Sequence, residues 1–333
     1  MRALVTGSTG FVGGAICKAL IEKSFSVRAL HRETSNQTLL QDLPVEHVIG
    51  DLRQPDSINR AMKNVDVVFH VAAMLSPGNH PEDMFNVTVE GTRTVIEAAL
   101  KNRVKRFVHT SSVAALGIPQ FPSGQTSPDQ TAKMDENHTR NFNPKFWPYG
   151  YSKYLAELEI QKGVSQGLEA VIVNPSIVIG PGDIYRKTSS PIVQIAQQRY
   201  PFYTTGGLNI VHLNDVVACH LNAMEYGLTG ERYISAGENL TLIDFMNRVA
   251  SIAGVSAPKL LVPGKLIRMA ANPIQWLMPV INLSVPTELF HLAGYGMYYD
   301  NSKSLTMLRI NGYQSCDMAI KDALEWFKFN GAI

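Results

Sequence analysis

The chain has 333 residues, of which 45% are hydrophobic and 17% are charged, and its formal net charge is +2. This composition is typical of a folded protein with one large α/β unit or two linked ones, and it excludes a disordered chain. Because no long run of Lys and Arg occurs, we expect no nucleic-acid partner. The three cysteines are widely spaced and form no metal or disulfide pattern, which indicates a reducing compartment and no metal site.

The start of the sequence predicts a dinucleotide-binding turn. A short apolar strand is followed by Gly7, Gly10 and Gly13, and then by a helix with apolar residues at helical spacing. Gly7 allows a sharp turn, Gly10 lets the backbone approach a pyrophosphate, and Gly13 lets the helix pack closely on the strand. The first N–H groups of the helix would then face the anion. We also expect the intervening residues to contact the cofactor: Thr9, Phe11 and Val12.

The second predicted strand, 26–30, ends at His31 and Arg32. Folds of this kind that prefer NAD usually place an Asp or Glu here, where it accepts hydrogen bonds from the adenosine ribose. A carboxylate would repel a 2′-phosphate, whereas a guanidinium can bind one through two parallel hydrogen bonds. We therefore expect Arg32 to favour NADP over NAD. The alternative is an ordinary solvated arginine at the end of a strand.

Further strands at 46–49, 65–71 and 106–109 alternate with helices, the longest of which is predicted over Pro81–Asn102. This alternation predicts a doubly wound parallel sheet, a Rossmann-type α/β fold. Ligands bind such sheets at the carboxyl ends of the strands.

Two pairs of residues follow strands of this sheet. Asp51 and Leu52 can contact the adenine, although Asp51 could instead cap the next helix. The small side chains of Ala72 and Ala73 leave room for the cofactor's ribose.

The fifth strand ends in Thr110-Ser111-Ser112, and a long polar stretch over 117–148 follows, which we expect to cover the active site. A helix then opens with Tyr149 and Lys153, which are four residues apart and share one face. A protonated Lys153 would lower the pKa of Tyr149 from its usual value of about 10. The phenol could then exchange a proton with a carbonyl or an alcohol near neutral pH.

These motifs together resemble the extended short-chain dehydrogenase/reductases over almost the whole chain. Three more segments, 173–181, 211–216 and 230–233, resemble the dihydroflavonol-reductase-like branch. The resemblance implies a catalytic group of Ser or Thr with Tyr149 and Lys153. Ser112 is the expected serine, and Ser111 is the alternative.

The resemblance implies further roles. Asn86, in an Asn-Val-x-x-Gly-Thr context, is expected to hold the active-site network together; the alternative is a helix side chain that bonds its neighbours. Pro175 and Ile177 are expected to contact the cofactor. Family members commonly form homodimers through the helices that correspond here to 82–101 and 150–166. Apolar residues could supply that seam: Val87, Val95, Tyr154 and Leu158.

We assign residues 1–174 to the nucleotide-binding domain and 175–333 to a smaller, interleaved substrate-binding part, with 209–226 returning to the first. The second part is predicted to contain a strand at 232–235 and helices at 242–253 and 316–329. The last of these helices is expected to bury an apolar stripe of Met318, Ala319, Ala323, Trp326 and Phe327. The pocket candidates of this part are mostly apolar: Met269, Trp276, Leu277, Met278, Phe290, Tyr295 and Met297.

Two features bear on location. The first strand begins almost at once after Met1, so we expect no signal peptide and a cytoplasmic protein. The apolar stretch Leu266–Leu283 is interrupted by Arg268 and contains Pro273 and Pro279, which would break a spanning helix. We expect it to line or cover a pocket, with peripheral membrane contact as the alternative.

The leading hypothesis is an NADP-dependent reductase of ketones or aldehydes, in which Tyr149 gives the proton, Ser112 holds the carbonyl oxygen and Lys153 binds the nicotinamide ribose. A second hypothesis is an epimerase or dehydratase of nucleotide sugars that uses tightly held NAD. Those relatives often carry an arginine just before the 211–216 segment to bind a diphosphate, and 207–210 contain none. A third is a nucleotide-sensing binding protein, whose relatives typically lack the Tyr or the Lys.

Overall fold

The computed structural model describes residues 1–75, 81–120, 132–185, 189–200, 202–273 and 287–333. The strands are β1 Arg2–Thr6, β2 Ser26–His31, β3 Glu46–Ile49, β4 Val67–His70, β5 Arg106–Thr110, β6 Ala170–Pro175, β7 Ile177–Ile179, β8 Phe202–Thr204, β9 Gly207–His212, β10 Arg232–Ser235, β11 Glu238–Thr241 and β12 Leu260–Val262. The α-helices are α1 Phe11–Glu22, α2 Pro55–Ala61, α3 Pro81–Phe85, α4 Gly91–Lys101, α5 Pro148–Ser165, α6 Ser190–Ala196, α7 Leu213–Tyr226, α8 Leu242–Ala253, α9 Gly264–Met269, α10 Glu288–Leu292, α11 Ser302–Met307 and α12 Cys316–Phe329.

A seven-stranded parallel sheet, in the order β10-β6-β5-β4-β1-β2-β3, forms the centre of the fold. All residues of β4 and β6 are buried, as their unbroken apolar runs predict for strands covered on both faces. One face packs against α1 and α7, and the other against α2, α4 and α5. The expected Rossmann-type α/β fold is confirmed.

The strand Arg232–Ser235, expected in the substrate-binding part, is instead the edge strand of the central sheet. It pairs in parallel with β6, with Tyr233 beside Val173 and Ile234 beside Asn174. This expectation was wrong, because a strand of four residues carries no local signal for the sheet that it joins.

The 209–226 segment divides between the two parts of the structure. Its strand β9 lies between β7 and β11 in a separate three-stranded sheet. Its helix α7 packs on the central sheet beside α1. The second sheet, with α6, α8 and α12, surrounds a third buried cluster that includes Ile210 and Phe327. The division of the chain into domains stays a prediction.

The helix predicted over Pro81–Asn102 is interrupted. A π-helical turn over Asn86–Glu90 separates α3 from α4. The wider turn inserts extra backbone per turn and changes which side chains face inward. Thr88 and Val89 are buried, whereas Asn86 is exposed.

The last helix has the predicted bounds, but its buried stripe differs in part. Cys316, Ile320 and Leu324 are buried together with Ala319, Ala323 and Phe327. Met318, expected in the stripe, is 47% exposed, since it lies one position away from the core-facing row.

No helix among the described residues is long and apolar enough to cross a membrane. Within the stretch 266–283, α9 ends at Met269, and residues 274–286 lie outside the described ranges, as do 121–131 of the long polar stretch. The described end of that polar stretch is anchored where Met134 pairs with Tyr299.

Candidate active site

The glycine turn is built for close approach of a ligand. Gly7 has a φ of +67°, and a Cβ there would lie 2.8 Å from the backbone of Ala72. A Cβ on Gly13 would lie 2.1 Å from the carbonyl oxygen of Gly7, so α1 packs against the turn with no room for a side chain. Gly10 donates its N–H to the carbonyl oxygen of Gly7 at 3.0 Å, and α1 begins at the next residue. The amides of this helix start are therefore presented to the cleft.

A cleft of about 710 Å³ runs along the carboxyl ends of the central strands. It brings together almost all the residues expected to bind a dinucleotide: Gly7, Thr9, Gly10, Phe11, Val12, Gly13, Arg32, Asp51, Leu52, Ala72, Ala73 and Pro175. At its other end it is lined by Ser112, Tyr149 and Lys153. The cleft is therefore continuous from the phosphate-binding turn to the expected catalytic group. A dinucleotide fits this shape, because its pyrophosphate would lie at the glycine turn and its nicotinamide at the expected catalytic group.

At the expected adenosine end, Arg32 is exposed and lines the cleft. His31 beside it is buried and bonded to His47, with 3.1 Å between Nε2 and Nδ1. The carboxylate of Asp51 accepts hydrogen bonds from the backbone and guanidinium of Arg53. These bonds hold the pKa of Asp51 below its usual range, and the charge of Arg32 acts in the same direction. Asp51 does not cap α2, so that alternative was wrong.

The three residues of the expected catalytic group meet at the end of β5. Ser112 has an extended backbone, and its hydroxyl accepts the N–H of Ala114 at 3.2 Å, which caps a short 3₁₀ turn. Tyr149 lies in the first turn of α5, and its hydroxyl is hydrogen-bonded to that of Ser112. Lys153 is 2% exposed, and its ammonium donates to the carbonyl oxygen of Thr110 at 2.8 Å.

The charges within this group differ from the expectation. Burial raises the pKa of Tyr149, and the hydrogen bond from Ser112 offsets this only in part. The protein's own groups therefore do not lower the pKa of the phenol through Lys153, as the sequence suggested. Burial also lowers the pKa of Lys153 to about 8, against the opposing charge of Glu157.

A layer of buried histidines, which sequence reasoning missed, lies beside Lys153. His70 and His109 are register partners on β4 and β5, with ring centroids 5.4 Å apart. His220 of α7 is hydrogen-bonded to Thr110. Burial, with the charge of Lys153, lowers the pKa of His70 to about 3 and that of His220 to about 4, and it lowers that of His109 in the same direction. All three rings are therefore neutral at physiological pH.

Glu157, also missed, is a buried carboxylate one helical turn after Lys153 and is 1% exposed. One oxygen accepts hydrogen bonds from the hydroxyl of Ser111 and the amide of Asn174, and the other pairs with the guanidinium of Arg232. The spacing from Lys153 places Glu157 on the same helix face. The partners of Glu157 are distant in sequence, so no local pattern predicts them.

These bonds separate the two candidate serines. Ser111 is 3% exposed, and its hydroxyl donates to Glu157, whereas the hydroxyl of Ser112 meets Tyr149. The geometry therefore supports Ser112 over Ser111.

Two expected site residues lie away from the cleft lining. Asn86 is exposed, because the π-helical turn directs Val87 to the cleft and Thr88 to the backbone N–H of Met74 instead. Ile177 is 38% exposed, since alternate side chains of β7 point to opposite sides and its neighbours Ser176 and Val178 face the cleft. We do not retain either residue in the site.

The candidate substrate side is only partly described. Met269 is 71% exposed, so it does not line an enclosed pocket, and Trp276, Leu277 and Met278 lie outside the described residues. Met297 packs against a buried hydrophobic cluster that includes Val113 and Leu116. Phe146, just before Tyr149, stacks on His291 of α10 with ring centroids 4.1 Å apart.

Three arginines of the second part are engaged by the protein itself. Arg232 pairs with Glu157, and Arg248 pairs with Glu238. Arg268 donates to the carbonyl oxygen of Ala293 and lies over the ring of Tyr295.

Comparisons with known proteins agree with this geometry. Residues 3–235 match the model of the NAD dependent epimerase/dehydratase family. A putative dihydroflavonol 4-reductase from Synechocystis sp. is 36% identical over 99% of this chain and 95% of its own length. Sterol demethylase protein B from Methylococcus capsulatus is 32% identical over the whole of both chains. The crystal structure of gox2253 superimposes with a TM-score of 0.86 at 34% identity, covering 100% of this chain and 99% of that one.

The matched region contains the glycine turn, the strand-end serine, and the Tyr149 and Lys153 pair, which together form one cleft. Several further relatives are named reductases or dehydrogenases. These names fit an enzyme better than a nucleotide-sensing protein that has lost catalysis. The chain belongs to the NAD dependent epimerase/dehydratase family, and it is an NAD(P)-dependent oxidoreductase of the extended short-chain dehydrogenase/reductase type.

Proposed function

We propose that the protein reduces a ketone or aldehyde with NADPH, and that its substrate is apolar. The observation that carries this proposal is the meeting of Ser112, Tyr149 and Lys153 at the inner end of a cleft that begins at the glycine turn. That arrangement would place a proton donor beside a carbonyl held against the cofactor.

The reduced nicotinamide, when bound, supplies the hydride for the carbonyl carbon. The hydroxyl of Tyr149 gives its proton to the carbonyl oxygen, and the hydroxyl of Ser112 donates a hydrogen bond to the same oxygen. The ammonium of Lys153, one turn along α5, would donate hydrogen bonds to the nicotinamide ribose. In the reverse direction the phenolate takes the proton back from an alcohol.

The preference for NADP rests on Arg32. Its guanidinium is exposed at the rim of the cleft, while the carboxylate of Asp51 is paired with Arg53. A 2′-phosphate could therefore bind Arg32 without meeting an unpaired carboxylate there.

An NAD-dependent epimerase or dehydratase of nucleotide sugars is the second candidate, and the name of the matching family favours it. A sugar nucleotide needs cations for its diphosphate. The arginines Arg232, Arg248 and Arg268 are occupied by protein partners, which argues against this substrate. The names of the reductase and sterol relatives support a substrate that is less polar than a nucleotide sugar.

Cofactor exchange separates the two candidates, because a reductase gives its hydride to the product, whereas an epimerase returns it to the substrate. We expect purified protein to carry little bound NAD and to bind NADPH reversibly. Apolar ketones or aldehydes should drive NADPH oxidation, and UDP-sugars should not be epimerised. Stoichiometric NAD released on denaturation, with turnover of a UDP-sugar, would establish the epimerase instead.

Removing the proton donor should abolish turnover without removing the cofactor. In Tyr149→Phe we expect kcat to fall by about 10²- to 10⁴-fold, because the ring stays and the transferable proton goes. NADPH affinity, measured by fluorescence titration, should change little. Tyr151→Phe is the matched control, since Tyr151 lies two residues along the same helix and packs against Phe85. Turnover of Tyr149→Phe within a few-fold of the control would contradict the role.

Reversing the charge at Arg32 should alter cofactor choice. In Arg32→Asp we expect NADPH affinity to fall about tenfold or more, since a charge-assisted bond is worth about 1.5–3 kcal/mol. NADH affinity should hold or improve. Arg103→Asp, at another exposed arginine, controls for the change in net charge. A wild type that binds NADH more tightly than NADPH would refute the preference.

We further propose a homodimer built on the outer faces of α4 and α5. Val95 is fully buried in its own core, so it cannot supply the seam, but Leu158 is 38% exposed and Tyr154 is half-buried. Light scattering at micromolar concentration should give twice 36.7 kDa. Leu158→Glu should shift the mass to that of a monomer, whereas Met318→Glu, at an exposed methionine elsewhere, should not. A monomeric wild type would overturn this.

A further inference from the structure

The carboxylate of Glu157 connects three strands of the central sheet, β5 at its end, β6 and β10, to the helix that carries Tyr149 and Lys153. It is 1% exposed, and a buried carboxylate is costly unless its oxygens are paired and hydrogen-bonded. Its Oε1 accepts from Ser111 Oγ and from Asn174 Nδ2, the latter at 2.7 Å. Its Oε2 accepts from Arg232 Nε and Nη2, both at 2.6 Å.

The contacts continue to the backbone of the expected catalytic serine. The same Asn174 amide that bonds Glu157 also donates to the carbonyl oxygen of Ser112 at 3.1 Å. Ser111, the residue before it, is held by Glu157 directly. The strand end that presents Ser112 is thus held by Glu157 directly at Ser111 and through Asn174 at Ser112.

The opposite side of the network reaches the polar stretch before the catalytic helix. Arg232 donates to the carbonyl oxygen of Glu136, and the side chain of Glu136 accepts the N–H of Ile234. Glu157 therefore binds a guanidinium whose other contacts hold that stretch against the edge strand β10.

Glu157 also lies beside the buried ammonium of Lys153, one helical turn away. The other titratable groups whose charge interacts with Lys153 among the described residues are His70 of β4, His109 of β5 and His220 of α7. Those three rings are neutral at physiological pH, so they do not compensate a buried positive charge. Glu157 is the group that opposes the effect of burial on Lys153.

We propose that Glu157 is a positioning residue for the reaction: its carboxylate, paired with Arg232, fixes Ser112 relative to Tyr149 and supplies the negative charge that keeps the buried Lys153 an ammonium ion. This role rests on the proposed function for its effect on turnover. Its effect on the charge of Lys153 does not, because that is a property of the protein without substrate.

The variant Glu157→Gln tests the charge directly. In protein labelled with ¹³C at lysine Cε, the Lys153 resonance, identified by its loss in Lys153→Met, can be followed against pH. We expect Lys153 to lose its proton about one pH unit lower in Glu157→Gln than in the wild type. The matched control is Glu159→Gln on the same helix, since Glu159 is also buried but pairs with Arg93 and Lys162 and not with Arg232. Lys153 should titrate in this control as in the wild type.

Turnover supplies the second readout. The alkaline limb of kcat/KM should move to lower pH in Glu157→Gln and not in Glu159→Gln. At pH 6, where Lys153 is protonated in both proteins, a remaining loss of kcat of tenfold or more with unchanged NADPH affinity would report the displacement of Ser112.

The double variant Glu157→Gln/Arg232→Gln guards against simple unfolding, because it also removes the guanidinium that Glu157→Gln leaves without a counter-charge. We expect it to regain thermal stability and to keep the lowered Lys153 titration. An unchanged titration of Lys153 in the folded double variant would overturn the proposal and leave Glu157 a structural residue. If the wild type binds NADPH but reduces no carbonyl, the proposed function fails while the titration still decides the role of Glu157.

Discussion

A positive charge buried at the carboxyl edge of a parallel sheet is the constraint on which the site depends. Lys153 is 2% exposed, so water does not solvate its ammonium. Burial of an ammonium ion costs several kcal/mol unless the protein replaces the lost hydration. The Thr110 carbonyl replaces one hydrogen bond, and Glu157 supplies the opposite charge. The neighbouring histidines contribute polarity without charge.

The need for a negative charge beside Lys153 ties the catalytic helix to the central sheet. Glu157 itself requires Arg232, which opens β10, and Asn174, which lies in β6. Breaking a buried pair by removing one partner typically costs about 3–5 kcal/mol, a large fraction of the stability of a protein. The edge strand β10 is therefore held to the sheet by its ladder with β6 and by the charge network under the site.

Local patterns predicted the parts of the site that lie close together in sequence. The glycine turn and the Tyr149 and Lys153 pair are specified by spacing along one strand–turn–helix and one helix face. Residues of both motifs line the same cleft.

The features that sequence reasoning missed are non-local or depend on a small backbone change. Glu157 is recognisable as a buried charge only once Ser111 and Arg232 are known to reach it. One π-helical turn moves Asn86 outward, and strand alternation turns Ile177 away. The sheet that Arg232–Ser235 joins depends on its pairing partner, and a strand of four residues carries no local signal of that partner.

The position of β10 in the chain sets the order in which the protein can fold during synthesis. The strand that completes the central sheet begins at Arg232, whose register partner Ile172 lies 60 positions earlier in the chain. Until that strand leaves the ribosome, Glu157 lacks its partner Arg232 and one edge of β6 has no strand beside it. An exposed strand edge beside an unpaired buried carboxylate is prone to aggregation. The central sheet is thus incomplete at residue 174: its edge strand β10 is made after β7, β8, β9 and α7.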